Sequence, residues 1–131
     1  MKLYLLRHGE RGHGENQDVL TDLGIKQAEK TAKYFKNIKI DKIISGESQR
    51  ARKTTGKILE ENPCEVEYTS LVNEQNLGIL QGKSKSEWKE AVKKSGLSEK
   101  EFKSLGGENE YDSYERAKRF IKKLKFEKKE N

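Results

Sequence analysis

At 131 residues the chain has room for one domain and no more. Leu, Ile, Val and Phe make up about a fifth of it, just above the range in which a chain with 38% charged residues stays disordered, so a core can form but will be thin. The net charge of +6 is concentrated near one end, with seven Lys/Arg against two Glu between Lys118 and Glu130. No aromatic-interleaved basic face accompanies that excess, which disfavours nucleic acid as a partner and reads as a solvated helix face. The lone Cys64 excludes an intramolecular disulfide, and no Cys/His spacing suits zinc. The start Met1-Lys2-Leu3-Tyr4-Leu5-Leu6 is too short and too soon charged for a signal peptide, and nothing approaches a membrane span. A cytoplasmic protein is the default expectation.

Lys2 to Leu6 is a short apolar run ahead of a Gly-rich stretch and predicts a buried strand. Arg7 to Asp18 contains Gly9, Gly12 and Gly14 and predicts a loop. Thr21 caps a helix whose Ile25, Ala28, Ala32 and Phe35 share one face. Lys39 to Ser45 predicts a second strand. A helix from about Ser48 to Glu61 turns Ala51, Ile58 and Leu59 inward, and Pro63 closes it. Cys64 to Tyr68 alternates apolar and acidic residues, as a half-buried third strand does. Beyond Thr69 lies a loop-rich stretch with Gly78 and Gly82, then short helical patterns at Ser86–Lys94 and Ser98–Ser104. After Gly106-Gly107 a last helix starts near Glu110, with Tyr114, Ala117, Ile121 and Leu124 as its apolar stripe. Alternating strands and helices imply an α/β sheet that is at least partly parallel, with ligands at the carboxyl ends of its strands.

The chemistry-bearing residues fall at those ends. Arg7-His8-Gly9-Glu10 follows the first strand directly. A neutral imidazole there is a competent nucleophile toward phosphorus, and a neighbouring guanidinium can hold phosphate oxygens. The bland alternative is a surface histidine in a polar turn. After the second strand, Arg50 falls in the first turn of a helix, where dipole and guanidinium both favour an anion. After the third, Asn73-Glu74-Gln75 offers a carboxyl group. Arg50 alone is an ordinary helix-surface charge and Glu74 an ordinary loop acid; their recurrence at successive strand ends is what argues for a site.

Arg7-His8-Gly9, Leu20-Thr21-Asp22-Leu23-Gly24-Ile25-Lys26-Gln27-Ala28, the run from Ser45 through Arg50-Ala51 to Thr54, and Glu74 with Gly78 and Gly82 together resemble the histidine phosphatase superfamily, which includes the phosphoglycerate mutases. Gly107-Glu108 is similar to a later Gly-Glu element, and the resemblance is collinear over nearly the whole chain. It implies a phosphoglycerate-mutase-like, three-layer α/β sandwich with a mostly parallel sheet, here lacking the C-terminal strands: a single, incomplete domain over residues 1–131. It implies that His8 becomes phosphohistidine, that Arg7 and Arg50 clamp the phosphoryl group, and that Glu74 is the catalytic acid and base. Asn16 matches a phosphate-binding Asn, though at longer spacing from His8. No metal or organic cofactor is implied, and the partner is a small phosphorylated substrate.

The chain departs from the pattern at one point. The family carries a second catalytic His, followed by Gly, on a strand after the last helix, whereas the only other histidine here is His13 in the first loop. The expectation is therefore a phosphate-monoester phosphatase of low activity, with the first strand left unpaired on one side and open to self-association or to a missing C-terminal fragment. The alternative from another class is a catalytically silent phosphate-binding or interaction module. A phosphoglycerate mutase ranks below both.

Overall fold

The computed structural model describes residues 2–127, which fall into two compact units, Met1–Thr69 and Ser70–Asn131.

The first unit holds helix α1 (Asp22–Phe35), strand β1 (Lys42–Ser45), helix α2 (Gln49–Glu61) and strand β2 (Glu65–Tyr68). The two strands pair in parallel, with Lys42 opposite Glu65 and Ser45 opposite Tyr68, and α2 makes the crossover between them. Lys42 lies between Glu65 and Glu67 at 3.2 and 2.8 Å, so the strand charges are matched in register. The helices start where capping chemistry allows. Thr21 accepts from the Gly24 amide and Ser48 from the Ala51 amide, each satisfying an N–H that has no partner within its helix. Ala28, Ala32 and Phe35 of α1 are buried as the helical spacing requires, and Ala32 and Phe35 form one cluster with Ile58 of α2.

The expected first strand does not form. Residues 2–10 make no strand ladder, and Leu3, Leu5 and Leu6 are exposed, Leu5 at 85%. Tyr4 alone packs inward, edge-on to the Phe35 ring at 5.1 Å. An apolar run becomes a strand only when a neighbour supplies carbonyls and amides to pair with, and no described strand does so for residues 2–10. The segment is thus held by one aromatic contact and by what anchors Gly9 and Glu10.

The second unit holds helix α3 (Lys85–Ser95) and helix α4 (Glu110–Glu127), preceded by single 3₁₀ turns at Ser70–Val72 and Gly78–Leu80. Ser84 and Glu87 close a capping box on α3, and Gly96 ends it in the left-handed conformation. The helix expected at Ser98–Ser104 is instead a turn in which Ser98 binds the Glu101 carboxylate, a local side-chain bond that competes with continuing a helix. The stripe expected on α4 is met only at Leu124, which is partly buried: Tyr114, Ala117 and Ile121 are exposed, while Ser113, Arg116 and Phe120 share the partly buried face. Arginine and apolar residues together make up that face. Among the described residues no strand follows Tyr68, and no helix is long and apolar enough to cross a membrane.

Candidate active site

His8 is half-buried, and its tautomer follows from its neighbours. Arg50 Nε lies 3.1 Å from His8 Nε2. A guanidinium only donates, so Nε2 must be the accepting, unprotonated nitrogen. The proton of the neutral ring then sits on Nδ1, which is 2.7 Å from the Gly9 carbonyl and donates to it. The result is an imidazole fixed in one tautomer, with its lone pair at Nε2 directed at a cation. That is the state a nitrogen nucleophile needs.

The motifs around His8 form its mounting. The Gly9 N–H donates to Thr54 Oγ1 at 3.2 Å, and the same hydroxyl donates to the Arg50 carbonyl at 2.8 Å. Thr54, buried one turn beyond Arg50 on α2, ties the segment of His8 to the helix that carries the guanidinium. From the other side, Gln27 Oε1 accepts from the Glu10 N–H at 2.7 Å, and the Thr21 N–H donates to the Glu10 carbonyl at 3.0 Å. Gly9 and Gly24 meet backbone to backbone. A methyl group at Gly9 would strike the Gly24 carbonyl, and one at Gly24 would strike the Glu10 carbonyl. The Leu20–Ala28 element, which shows no chemistry of its own in the sequence, is the bed on which His8 lies.

Arg50 is the most enclosed charge near the imidazole, with its side chain 11% exposed. Its Nη1 donates to Asp18 Oδ1 at 2.9 Å, and the Gln49 N–H donates to Asp18 Oδ2 at 3.0 Å. An anion does therefore occupy the first turn of α2, but it is the protein's own carboxylate. Arg7 is exposed. Asn16 is exposed in the 3₁₀ turn Gly14–Asn16, where its carbonyl accepts from the Val19 N–H.

Glu74 lies in the second unit, is exposed, and sits in a loop whose carbonyls converge on one side chain. Arg116 of α4 grips Glu108 with a two-pronged fork, Nε to Oε1 and Nη2 to Oε2, both at 2.8 Å. Its Nη1 also donates to the carbonyls of Asn73, Leu71 and Ser70 at 2.7, 3.2 and 3.3 Å. Hydrogen bonding from Arg116 holds the Glu108 carboxyl far below the usual carboxylate range, at about 2, although burial works against it. Gly78, at φ 57°, lets the chain after Glu74 lie against Leu105 and Gly107, where a Cβ would collide with the Leu105 carbonyl.

The sequence pattern of the histidine phosphatase superfamily (branch 1) matches residues 3–131. The chain belongs to the histidine phosphatase superfamily. It is 28% identical over 118 residues to a broad-specificity phosphatase of Saccharomyces cerevisiae, covering 81% of this chain and 50% of the relative. It is 27% identical over 134 residues to the fructose-2,6-bisphosphatase TIGAR of Xenopus tropicalis, covering 93% and 49%. Among solved structures it resembles the alpha-ribazole phosphatase of Shigella flexneri with a TM-score of 0.74 at 23% identity, over 94% of this chain and 66% of that one. A mycobacterial glucosyl-3-phosphoglycerate phosphatase in complex with VO3 gives a TM-score of 0.71 at 22% identity, over 89% and 61%. These likenesses place the fold in the phosphoglycerate-mutase-like α/β class. The chain spans about half the length of the curated relatives it matches.

Within this family frame, the structure brings His8 and Arg50 together in the first unit, adds Asp18 to them, and leaves Arg7 and Asn16 exposed beside the loop. Glu74 is described with the second unit. Sequence reasoning missed Asp18 and Arg116, and it held Gln27, Thr54 and Glu108 only as members of motifs, with no role. Thr54 carried a usable signal, since it stands four residues after Arg50 and hence on the same helix face. Asp18 and Arg116 carried none, because their partners are 32 and 8 residues away in sequence.

Proposed function

We propose that this chain is a phosphate-monoester phosphatase working through a phosphohistidine at His8, within one histidine phosphatase domain spanning residues 1–131. The observation that carries the reading is the fixed tautomer of His8, whose Nε2 lone pair faces the Arg50 guanidinium 3.1 Å away. In the first step Nε2 attacks phosphorus, the ester P–O bond breaks, and the leaving oxygen takes a proton from the Glu74 carboxyl. In the second, water attacks phosphorus, Glu74 takes the water's proton, and the P–N bond breaks to return His8 and phosphate. Arg50 and Arg7 bear the charge on the phosphoryl oxygens, and Asn16 adds a neutral donor. The phosphatases among its relatives support a small phosphorylated substrate, and the cytoplasm is the expected workplace.

Turnover is expected to be low. These 131 residues hold only His8 and His13 as histidines, so the second imidazole that the family directs at the phosphoryl oxygens has no counterpart outside the first loop. Losing one such donor lowers rate on the order of a hundredfold or more. The exposed, unladdered Leu3–Leu6 segment supports self-association, or pairing with a C-terminal fragment of the family's kind. A second reading, a silent phosphate-binding or interaction module, is favoured by one observation: Asp18 already holds Arg50 and the start of α2.

One experiment separates the two readings. With p-nitrophenyl phosphate, the phosphatase shows slow turnover that His8→Ala abolishes, and brief labelling traps phosphate on His8. Arg50→Ala weakens vanadate binding by about 1.5–3 kcal/mol, the range of a hydrogen bond to a charged group. No turnover and no label, with vanadate still raising the melting temperature, selects the silent module. Vanadate binding unchanged in Arg50→Ala removes the assigned anion site altogether.

A further inference from the structure

We infer that Arg116 is a positioning residue for Glu74: its guanidinium is the mould around which the 70–74 loop sets, and so it governs proton delivery to the leaving group. The inference rests on the phosphatase reading above and deepens it.

The 70–74 loop is irregular in its backbone. Ser70–Val72 is a single 3₁₀ turn, and no strand or helix runs from Asn73 to Leu77. Instead its carbonyls converge on one cation. Arg116 Nη1 receives those of Ser70, Leu71 and Asn73, and Nη2 lies 3.5 Å from that of Glu74 itself. A guanidinium offers five N–H donors in one plane, and here Nε and Nη2 are spoken for by Glu108 while Nη1 faces the loop. Glu108 in turn reaches the far side of Glu74. Its Oε2 accepts from the Asn76 N–H at 3.0 Å, its own N–H donates to the Asn76 carbonyl at 2.7 Å, and its carbonyl accepts from Gln75 Nε2 at 2.9 Å. The backbone on both sides of Glu74 is therefore tied to one ion pair, and that pair is well shielded, with side chains 11% and 24% exposed. The depressed titration of Glu108 agrees with a carboxylate that stays charged while gripped. A lysine at 116 would keep the charge but not the fork, and could not hold a carboxylate and three carbonyls in a fixed plane.

A residue that sets Glu74 should affect reactions according to how much their leaving group needs a proton. p-Nitrophenolate leaves without one; an alkoxide does not. The test compares the full chain with Arg116→Lys, Arg116→Gln and Glu74→Gln on p-nitrophenyl phosphate and on glycerol phosphate. It also follows amide hydrogen exchange of residues 70–76 against that of α3. Glu74→Gln should slow glycerol phosphate at least tenfold and p-nitrophenyl phosphate less than threefold. Arg116→Lys and Arg116→Gln should reproduce that split, with exchange in the loop at least tenfold faster and α3 unchanged. Arg116→Lys keeps the test open should Arg116→Gln fold poorly. If both substrates fall together in the Arg116 variants, or loop exchange does not change, Arg116 is merely structural and the inference is overturned. If Glu74→Gln itself shows no split, or the chain turns over neither substrate, the role given to Glu74 fails first and takes this inference with it. That outcome is recognisable because loop exchange would still respond to Arg116.

Discussion

In Met1–Thr69 the groups that fix His8 rest on packed carbon, whereas in Ser70–Asn131 the loop of Glu74 rests on a guanidinium. The first unit buries Leu20, Ala28, Ala32, Phe35 and Ile58; the second, among its described residues, buries Val92 and Phe102. Helix α1 supplies both the core and the bed under Gly9, so the segment of His8 inherits its position from hydrophobic packing. Helix α4 turns Arg116 inward beside Phe120 and Leu124, all three partly buried. A chain with about a fifth large aliphatic and Phe residues thus spends its apolar side chains in one half, and in the other holds its loop with an ion pair. The two halves should fail under different stresses.

The largest effect is expected where the carbon packing is densest. Phe35 is 2% exposed, with Tyr4 and Tyr34 each edge-on to its ring at 5.1 Å. Phe35→Ala should cost about 3–5 kcal/mol through lost burial and the cavity left behind. Against an ordinary total stability of about 5–15 kcal/mol, that removes from about a fifth to all of it. Urea unfolding followed by circular dichroism, together with loss of vanadate binding, reads both consequences. A cost below about 1 kcal/mol would mean that the core does not support His8 and would dissolve the contrast between the units.

Acid should act on the other half. Glu108 titrates at about 2 in the folded chain against an ordinary value of 4.5. A group whose pKa is depressed on folding contributes its stability above the unfolded value, and that contribution is lost as pH falls through the folded value. The window therefore runs from about pH 4.5 down to about 2, with a ceiling of about 3 kcal/mol, lowered by the partial exposure of Glu108. Trp88 is the chain's one tryptophan and lies edge-on to Phe102 in the second unit, so its fluorescence reports this half. Its urea midpoint should drop from pH 6 to pH 3 in the native chain, and much less in Glu108→Gln. An equal drop in both would assign the acid sensitivity elsewhere.

The same contrast explains what the sequence could disclose. Ile25, Ala28, Ala32 and Phe35 advertise α1 because a helix face on a carbon core repeats every three or four residues, and the caps Thr21 and Ser48 need only local partners. Arg7-His8-Gly9, Arg50 and Thr54 were legible as a motif for a related reason: each stands at a fixed offset from the end of an element. Strand pairing is not local, so Leu3–Leu6 has the composition of a buried strand and lacks the ladder. On α4, Arg116 meets Glu108 and four carbonyls at 70–74, contacts that leave no periodic trace, and of the expected stripe only Leu124 is partly buried while Tyr114, Ala117 and Ile121 are exposed. Ser98–Ser104 was lost to a side-chain bond that pattern alone cannot weigh against one more helical turn.

The smallest expected effect probes a place where the carbon-built half also relies on charge. Asp18 binds Arg50 Nη1 and the Gln49 amide, the donors that an incoming phosphoryl group would use. If Asp18 competes with that group, Asp18→Asn removes a negative charge and keeps one oxygen for the Gln49 amide, while its NH2 no longer accepts from Arg50. Asp18 is 40% exposed, so water and salt screen much of the interaction, and the gain in vanadate affinity should be modest: about 0.5–1 kcal/mol, or twofold to fivefold. The gain should shrink as salt rises, which a change in packing would not do. Calorimetric titration of vanadate into both chains at low and high salt measures this. Weaker binding in Asp18→Asn, at an unchanged melting temperature, would mean the opposite: the carboxylate aims Arg50 at the phosphoryl oxygens instead of standing in for them. The first unit would then hold its catalytic arginine as the second holds its loop, by an ion pair, and only His8 would rest on carbon.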